Sequence, residues 1–237
     1  MIIVDDTEWL TVITQPDHAR FAGELLSLWR TDGLPEHPRR QELLLAVREH
    51  DNGWQEADSA PWIDPQRHRP YDFVSYPEPA RLEIWQRGIL RFADQRPLVA
   101  LLIAEHAEAI HQPLNDQWKQ FFEELTPQRQ TWHEKSGVDR PTITEDYFFL
   151  RLADLLSLAV CTRGEAAVEH SGIKAQVIGD FLGVTPFPLA GTTSFEIPVR
   201  RIENRPYQSD AQIGSALARA RWQHRQVKVG PIPHEDA

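Results

Sequence analysis

Five ionisable side chains, His18, His50, Asp51, His106 and Asp154, fall in line with the apolar faces of four segments of helical period. An unpaired charge there would be costly. His18 lies three and four residues before Phe21 and Ala22, and His50 follows Val47 by three and Leu43 by seven, with Asp51 beside it. His106 sits among Leu102, Ile103 and Ile110, and Asp154 shares a face with Tyr147, Leu150 and Leu158 in YFFLRLADLLSLAV. A buried carboxylate demands a cation or strong donors. Singly, each histidine has a plainer reading as a hydrogen-bonded core residue, and Asp154 could pair with Arg151. Jointly, the cheapest partner for all five is a metal. Imidazole and carboxylate suit manganese, iron, zinc or nickel, as one or two ions, and a helical scaffold can hold them around a cavity. The single cysteine, Cys161, argues against a thiolate site.

Those side chains need elements to carry them. IIVDD and WLTVIT read as two strands of a hairpin. Thr14, Pro16 and Asp17 open the first helix with an approximate capping box. A second helix runs from about Arg40 to Asp51, with Asn52-Gly53 as its stop. The stretch from Trp54 to Pro79 is rich in proline, aspartate and aromatic residues and reads as a long ordered loop. Helices resume at about 79–93, 97–112, 115–133 and 144–161, the third interrupted by Pro127. Beyond Cys161, residues 171–182 read as a short helix or strand. FPLAGTTSFEIPVRRI and RQVKVGPIP look strand-like around a helix at about 209–224, and HEDA reads as a frayed tail. The expected architecture is a mainly α single domain over 1–237. It has a helical core at about 15–165, a C-terminal α+β extension at about 166–237, and a small antiparallel sheet made from the N-terminal hairpin and the C-terminal strands. That sheet is given a covering or homodimer-forming role.

With 41% hydrophobic and 25% charged residues, the composition is that of a soluble globular protein, and no segment nears the roughly 20 apolar residues of a membrane helix. MIIVDDTEWL lacks the marks of a signal peptide, and one cysteine cannot form an intrachain disulfide, so a cytoplasmic setting is expected. A net charge of −10 without dense Lys/Arg runs argues against nucleic acid and leaves a small-molecule substrate as the expected partner.

DHARFAGELLSLW, LLLAVREHDNGW and FFLRLADLLSLAV carry a resemblance to the HD superfamily of metal-dependent phosphohydrolases, over roughly residues 15–160. QPDHARFAGEL, AVREHDNGW and the proline-rich loop are similar, more narrowly, to a bacterial family known only as a domain of unknown function. The HD resemblance implies an all-α fold in which His18, His50, Asp51 and Asp154 hold a first metal. Asp51 could bridge to a second, with His106 as an extra ligand and His111 or His133 as another. His111 lies about 140° round the helix from His106, so both reach one centre only if that helix ends early or bends. Many members have a lysine after the His-Asp-x-Gly run, where this chain has Trp54; Arg48, Arg69 or Arg151 could take over its meeting with phosphate.

Three functions follow. In the first, bound metal lowers the pKa of water from about 15.7 toward 7 for attack on a phosphoester of a small molecule. Asp51 and Glu49 then take catalytic roles, with Asp17 an alternative acid or base better suited to capping, and Trp54, Arg48 and Arg151 contact substrate. The second is a di-iron oxygenase of the same fold. The third is a metal-binding or sensor protein without turnover. Trp54 and Trp62 could line a pocket in any of them.

Overall fold

The structure, a computed structural model, describes residues 1–162 and 167–232, so HEDA lies outside the described residues. Strands β1 (Ile2–Asp5) and β2 (Trp9–Ile13) form the expected hairpin. Helix α1 (Gln15–Ser27) follows, with the Asp17 amide donating to Thr14 Oγ1 at 3.1 Å and Thr14 Oγ1 donating back to Asp17 Oδ2 at 2.6 Å. Asp17 is therefore part of the cap. Next come α2 (Arg40–Glu49), a 3₁₀ turn (Asn52–Trp54), α3 (Gln55–Ser59), and the two-residue strands β3 (Ile63–Asp64) and β4 (Arg69–Pro70). Helices α4 (Glu78–Leu90), α5 (Pro97–Ile110), α6 (Asp116–Ser136) and α7 (Arg140–Cys161) complete the helical part. Strands β5 (Ala167–His170), β6 (Ile173–Ile178), β7 (Phe181–Thr185) and β8 (Thr193–Glu203), helix α8 (Asp210–Arg219) and strand β9 (Trp222–Pro231) end the described chain.

The mainly α expectation fails, and so does the all-α one. About half of the chain is helical, and 21% is strand in a curled seven-stranded mixed sheet. Its order is β1-β2-β8-β9-β7-β6-β5. The N-terminal hairpin does join the C-terminal strands, through β2 on β8, but the sheet is neither small nor wholly antiparallel, because β7 runs parallel to β9. β6 shows why the sheet forms: Ile173, Ala175 and Val177 point inward and alternate with exposed Lys174, Gln176 and Ile178. Pro198 of β8 lies outside the β2 ladder, which spans Arg200 to Glu203, and is in register with His224 of β9.

Helix α5 (PLVALLIAEHAEAI) is apolar almost all round and lies at the centre, with Leu98 to Ala104 buried. α1 and α7 pack against each other, and α2, α5 and α7 pack mutually. One hydrophobic core runs from these helices into the sheet, where Phe21 of α1 meets Phe195 of β8 edge-on at 5.5 Å. Arg39 grips buried Asp146 of α7 with two hydrogen bonds of 2.6 and 2.9 Å, tying the start of α2 to α7. α6 runs unbroken through Pro127, contrary to the expected interruption. Pro127 and Glu123, whose carbonyl loses its usual donor, are both exposed residues.

Candidate metal centre

The four helices that carry the candidate ligands converge. Thr14 starts α1 so that His18 sits in its first turns, and α2 ends at Glu49, which leaves His50 and Asp51 on the turn after it. Asn52 pins that turn: its amide nitrogen donates to Glu49 O at 2.8 Å and to Gly88 O of α4 at 3.0 Å. Arg87 of α4 and Arg91, which caps its C-terminus, donate to the carbonyls of Gly53 and Asn52 at 2.8 and 2.9 Å. His106 comes from α5 and Asp154 from α7, and none of the five side-chain-bearing residues is more than 5% exposed.

His18 Nε2 stands 3.2 Å from His50 Nε2, 3.2 Å from Asp51 Oδ2 and 3.5 Å from Asp154 Oδ1. His50 Nε2 is 3.5 Å from each of the same two carboxylate oxygens. Two triangles of ligand atoms thus share the His18–His50 edge. Ligands about 2.0–2.2 Å from one ion stand roughly 3.0–3.6 Å apart at neighbouring corners, so the spacing fits a shared transition metal. His106 joins through His50 and Asp154, its Nε2 3.9 Å from Asp154 Oδ2.

Each imidazole has its other nitrogen engaged. His50 Nδ1 donates to Val47 O at 2.7 Å. Ser157 Oγ donates to Asp154 O at 3.0 Å and so accepts from His18 Nδ1 at 2.7 Å. His106 Nδ1 meets the Tyr147 hydroxyl at 3.2 Å. This outer layer turns all three Nε2 atoms toward the carboxylates, the arrangement that orients metal-binding histidines. Ser157 and Tyr147 had no assigned role in the sequence reading, although Ser157 follows Asp154 by three residues on the same face.

The buried carboxylates and the imidazoles around them act on one another's charge. Burial alone would drag His50 down, but the charge of Asp51 and the hydrogen bond and charge of Asp154 overcome it and hold the imidazole up at about 9. Burial would likewise raise Asp51 and Asp154, yet the surrounding imidazoles hold both below the usual carboxylate range. Burial pushes His106 down to about 3, so it stays neutral.

Asp51, His106 and Asp154 open onto a cavity of about 260 Å³, whose wall also includes Trp54, Trp85, Arg81 and Arg151. Of the expected substrate contacts, Trp54 and Arg151 are therefore at the cavity. Arg48 and Glu49 are not: both line a larger groove of about 610 Å³ beside Asp17 and Arg20, which lacks His106 and Asp154. Arg69 is engaged elsewhere, by Asp5 and by Asn204 Oδ1 at 2.7 Å. Trp62 stacks on Tyr76 at 5.4 Å and anchors its loop. His111 lines the cavity but stacks on Trp118 at 3.6 Å, while the Trp85 ring contacts both His106 and His111 at 5.8 Å. His133 Nδ1 donates to Val138 O at 2.8 Å, at the end of α6. Neither joins the ligand groups found among the described residues. Arg81 was not singled out from the sequence, where it looks like any helix-surface arginine.

Residues 1–204 match the model of a family described as a protein of unknown function (DUF3891), a span that contains all five candidate ligands. No curated protein matches the chain, and no solved structure does. Among the described residues, no helix is long and apolar enough to cross a membrane.

Proposed function

We propose that this chain, which belongs to the DUF3891 family, is a metal-dependent hydrolase acting on a phosphoester of a small molecule. The observation that carries the reading is the pair of ligand triangles, with edges of 3.2 to 3.5 Å and each Nε2 turned inward by a fixed Nδ1. His18, His50, Asp51 and Asp154 hold the ion. Bound there, a divalent metal such as manganese, iron, zinc or nickel supplies Lewis acidity toward water and phosphoryl oxygen. The resemblance to the HD superfamily at His18, His50-Asp51 and Asp154 supports hydrolysis of a phosphoester as the chemistry.

The remaining roles belong to the protein. Ser157, Val47 O and Tyr147 orient the imidazoles, and Trp54 and Trp85 exclude water from one wall. His106, neutral and at the cavity, holds a proton facing the substrate or adds a ligand to a second ion. Glu49 lies in the other groove, so the acid–base work passes from it to groups at the cavity. The six-ligand set of a di-iron oxygenase would need a further histidine beside His106, and the placement of His111 and His133 favours the hydrolase.

Metal analysis of reconstituted protein should give at least one ion per chain, and Asp51→Ala should lose it while keeping its helical circular dichroism. A screen of generic phosphoesters with manganese should show turnover that Asp51→Ala lacks. Full metal content in a folded Asp51→Ala variant would remove Asp51 from the centre, and a loaded protein inert to every phosphoester would overturn the hydrolase.

A further inference from the structure

We propose that Arg81 and Arg151 form an anion-reading wall in the cavity above the His/Asp cluster, and that the substrate is a phosphomonoester with a small apolar or aromatic body. The inference rests on the hydrolase reading only in taking phosphate as the group that meets the cluster.

Arg151, on α7, spends one terminal nitrogen on Asp154 Oδ2 at 3.1 Å. A guanidinium has five N–H donors, so most of its fork is left for a ligand. Its ion pair with Asp154 is also an ordinary structural contact. Arg81 carries more weight. It stands in the first turns of α4, its acidic neighbour Glu78 is 3.5 Å away, and its Nε is buried with no hydrogen-bond partner among the described residues. Two further polar atoms of cavity-lining side chains share that condition, the Trp54 indole N–H and Gln15 Oε1. Buried polar groups are normally satisfied, and these three at one cavity are donors and an acceptor that water or a polar ligand would satisfy.

Charge then selects the ligand. Among the cavity-lining residues, the guanidiniums of Arg81 and Arg151 face the carboxylates of Asp51 and Asp154, with Glu78 3.5 Å from Arg81 outside the lining. A divalent ion in the cluster would make the cavity cationic. A phosphomonoester carries about −1.5 to −2 at neutral pH, whereas a diester carries a single charge. Planar arginine forks also match phosphate geometry where a lone tryptophan at position 54 cannot. Trp54, Phe73 and Trp85, which also line the cavity, offer apolar and aromatic faces for the rest of the molecule. The cavity volume of about 260 Å³ lies below the range of about 300–1,000 Å³ for drug-sized ligands, which limits the body to little more than a ring.

The test is calorimetric titration of inorganic phosphate into the full chain, with and without manganese, for the unaltered protein, Arg81→Gln, Arg81→Lys and Arg151→Gln. Phosphate should bind, and Arg81→Gln should weaken it about tenfold or more, with Arg81→Lys recovering part of the loss. Phenyl phosphate should displace phosphate, and diphenyl phosphate should not. No phosphate binding, equal affinity in a folded Arg81→Gln variant, or equal competition by the diester would overturn the proposal. Manganese content measured on the same samples separates the two readings. Bound metal with no Arg81 dependence defeats the anion wall and leaves the metal centre, while Arg81-dependent phosphate binding without metal does the reverse.

Discussion

An imidazole binds a metal well only when its far nitrogen is held, and here the holders are modest groups. Ser157 is the clearest case, because one hydroxyl both accepts from His18 Nδ1 and donates to the Asp154 carbonyl, linking two candidate ligands from different helices. Loss of such an outer partner commonly costs about 10–100-fold in metal affinity. Ser157→Ala should therefore weaken metal binding by that order in a chelator competition while the fold persists, and unchanged affinity would mean that packing alone orients His18. The buried histidines and aspartates themselves were legible in the sequence, since they stand on or beside apolar faces. Their holders were not, because a serine in LLSLAV or the carbonyl of Val47 carries no mark of its own. Arg48 and Glu49 misled for a related reason: adjacency to His50 in the chain says little about direction when the helix ends there and the next turn faces elsewhere.

Among the elements, the turn after α2 decides where His50 and Asp51 point. Gly53 looked like a helix stop, yet its requirement is spatial. A Cβ there would lie 2.1 Å from the Ile84 carbonyl oxygen and 3.1 Å from the Gly88 nitrogen of α4. Gly53→Ala should cost roughly 1–3 kcal/mol through forced separation of the turn from α4. Thermal melts would check the loss, and metal affinity should fall with it, because Asp51 lies two residues away. A melt unchanged within error would show that α4 can yield at no cost. The stretch from Trp54 to Pro79, read as loop, contains α3 and the β3–β4 pair. Pieces of two to five residues are too short to show a period, and they hold here through tertiary contacts such as the Trp62–Tyr76 stack.

Across the molecule, the sheet is fastened to the helices by a few buried links. Arg225 of β9 donates to Val160 O of α7 at 2.7 Å and to Gly179 O at 3.2 Å, and pairs with Asp180 at 2.6 Å. Arg225→Ala would remove the guanidinium donor from the buried Val160 carbonyl, a loss of about 1–3 kcal/mol in denaturant unfolding. A cost near zero would mean that water or a neighbour replaces the guanidinium. Beside it, burial pushes the Cys161 thiol from its ordinary 9.0 up to about 12. A raised pKa favours the protonated form in the folded state, so its contribution to stability is whole below pH about 9 and disappears as pH climbs toward 12. The native thiol should resist Ellman's reagent at pH about 8 and react fully in denaturant, and rapid modification of the folded protein would contradict its burial.

The hairpin at the N-terminus, the helices α1, α2 and α4 to α7 and the five inward ionisable residues were visible in the chain, because a buried face repeats every 3.6 or 2 residues and a polar intruder on it stands out. The breadth of the sheet was not. β7 finds its parallel partner in β9 across two intervening elements, β8 and α8, and the N-terminal strands reach the same sheet from the opposite end of the chain. Local pattern carries no term for such distant pairings. The same holds for Arg81, which α4 brings to the cavity from a position where the sequence shows only another solvent-facing arginine.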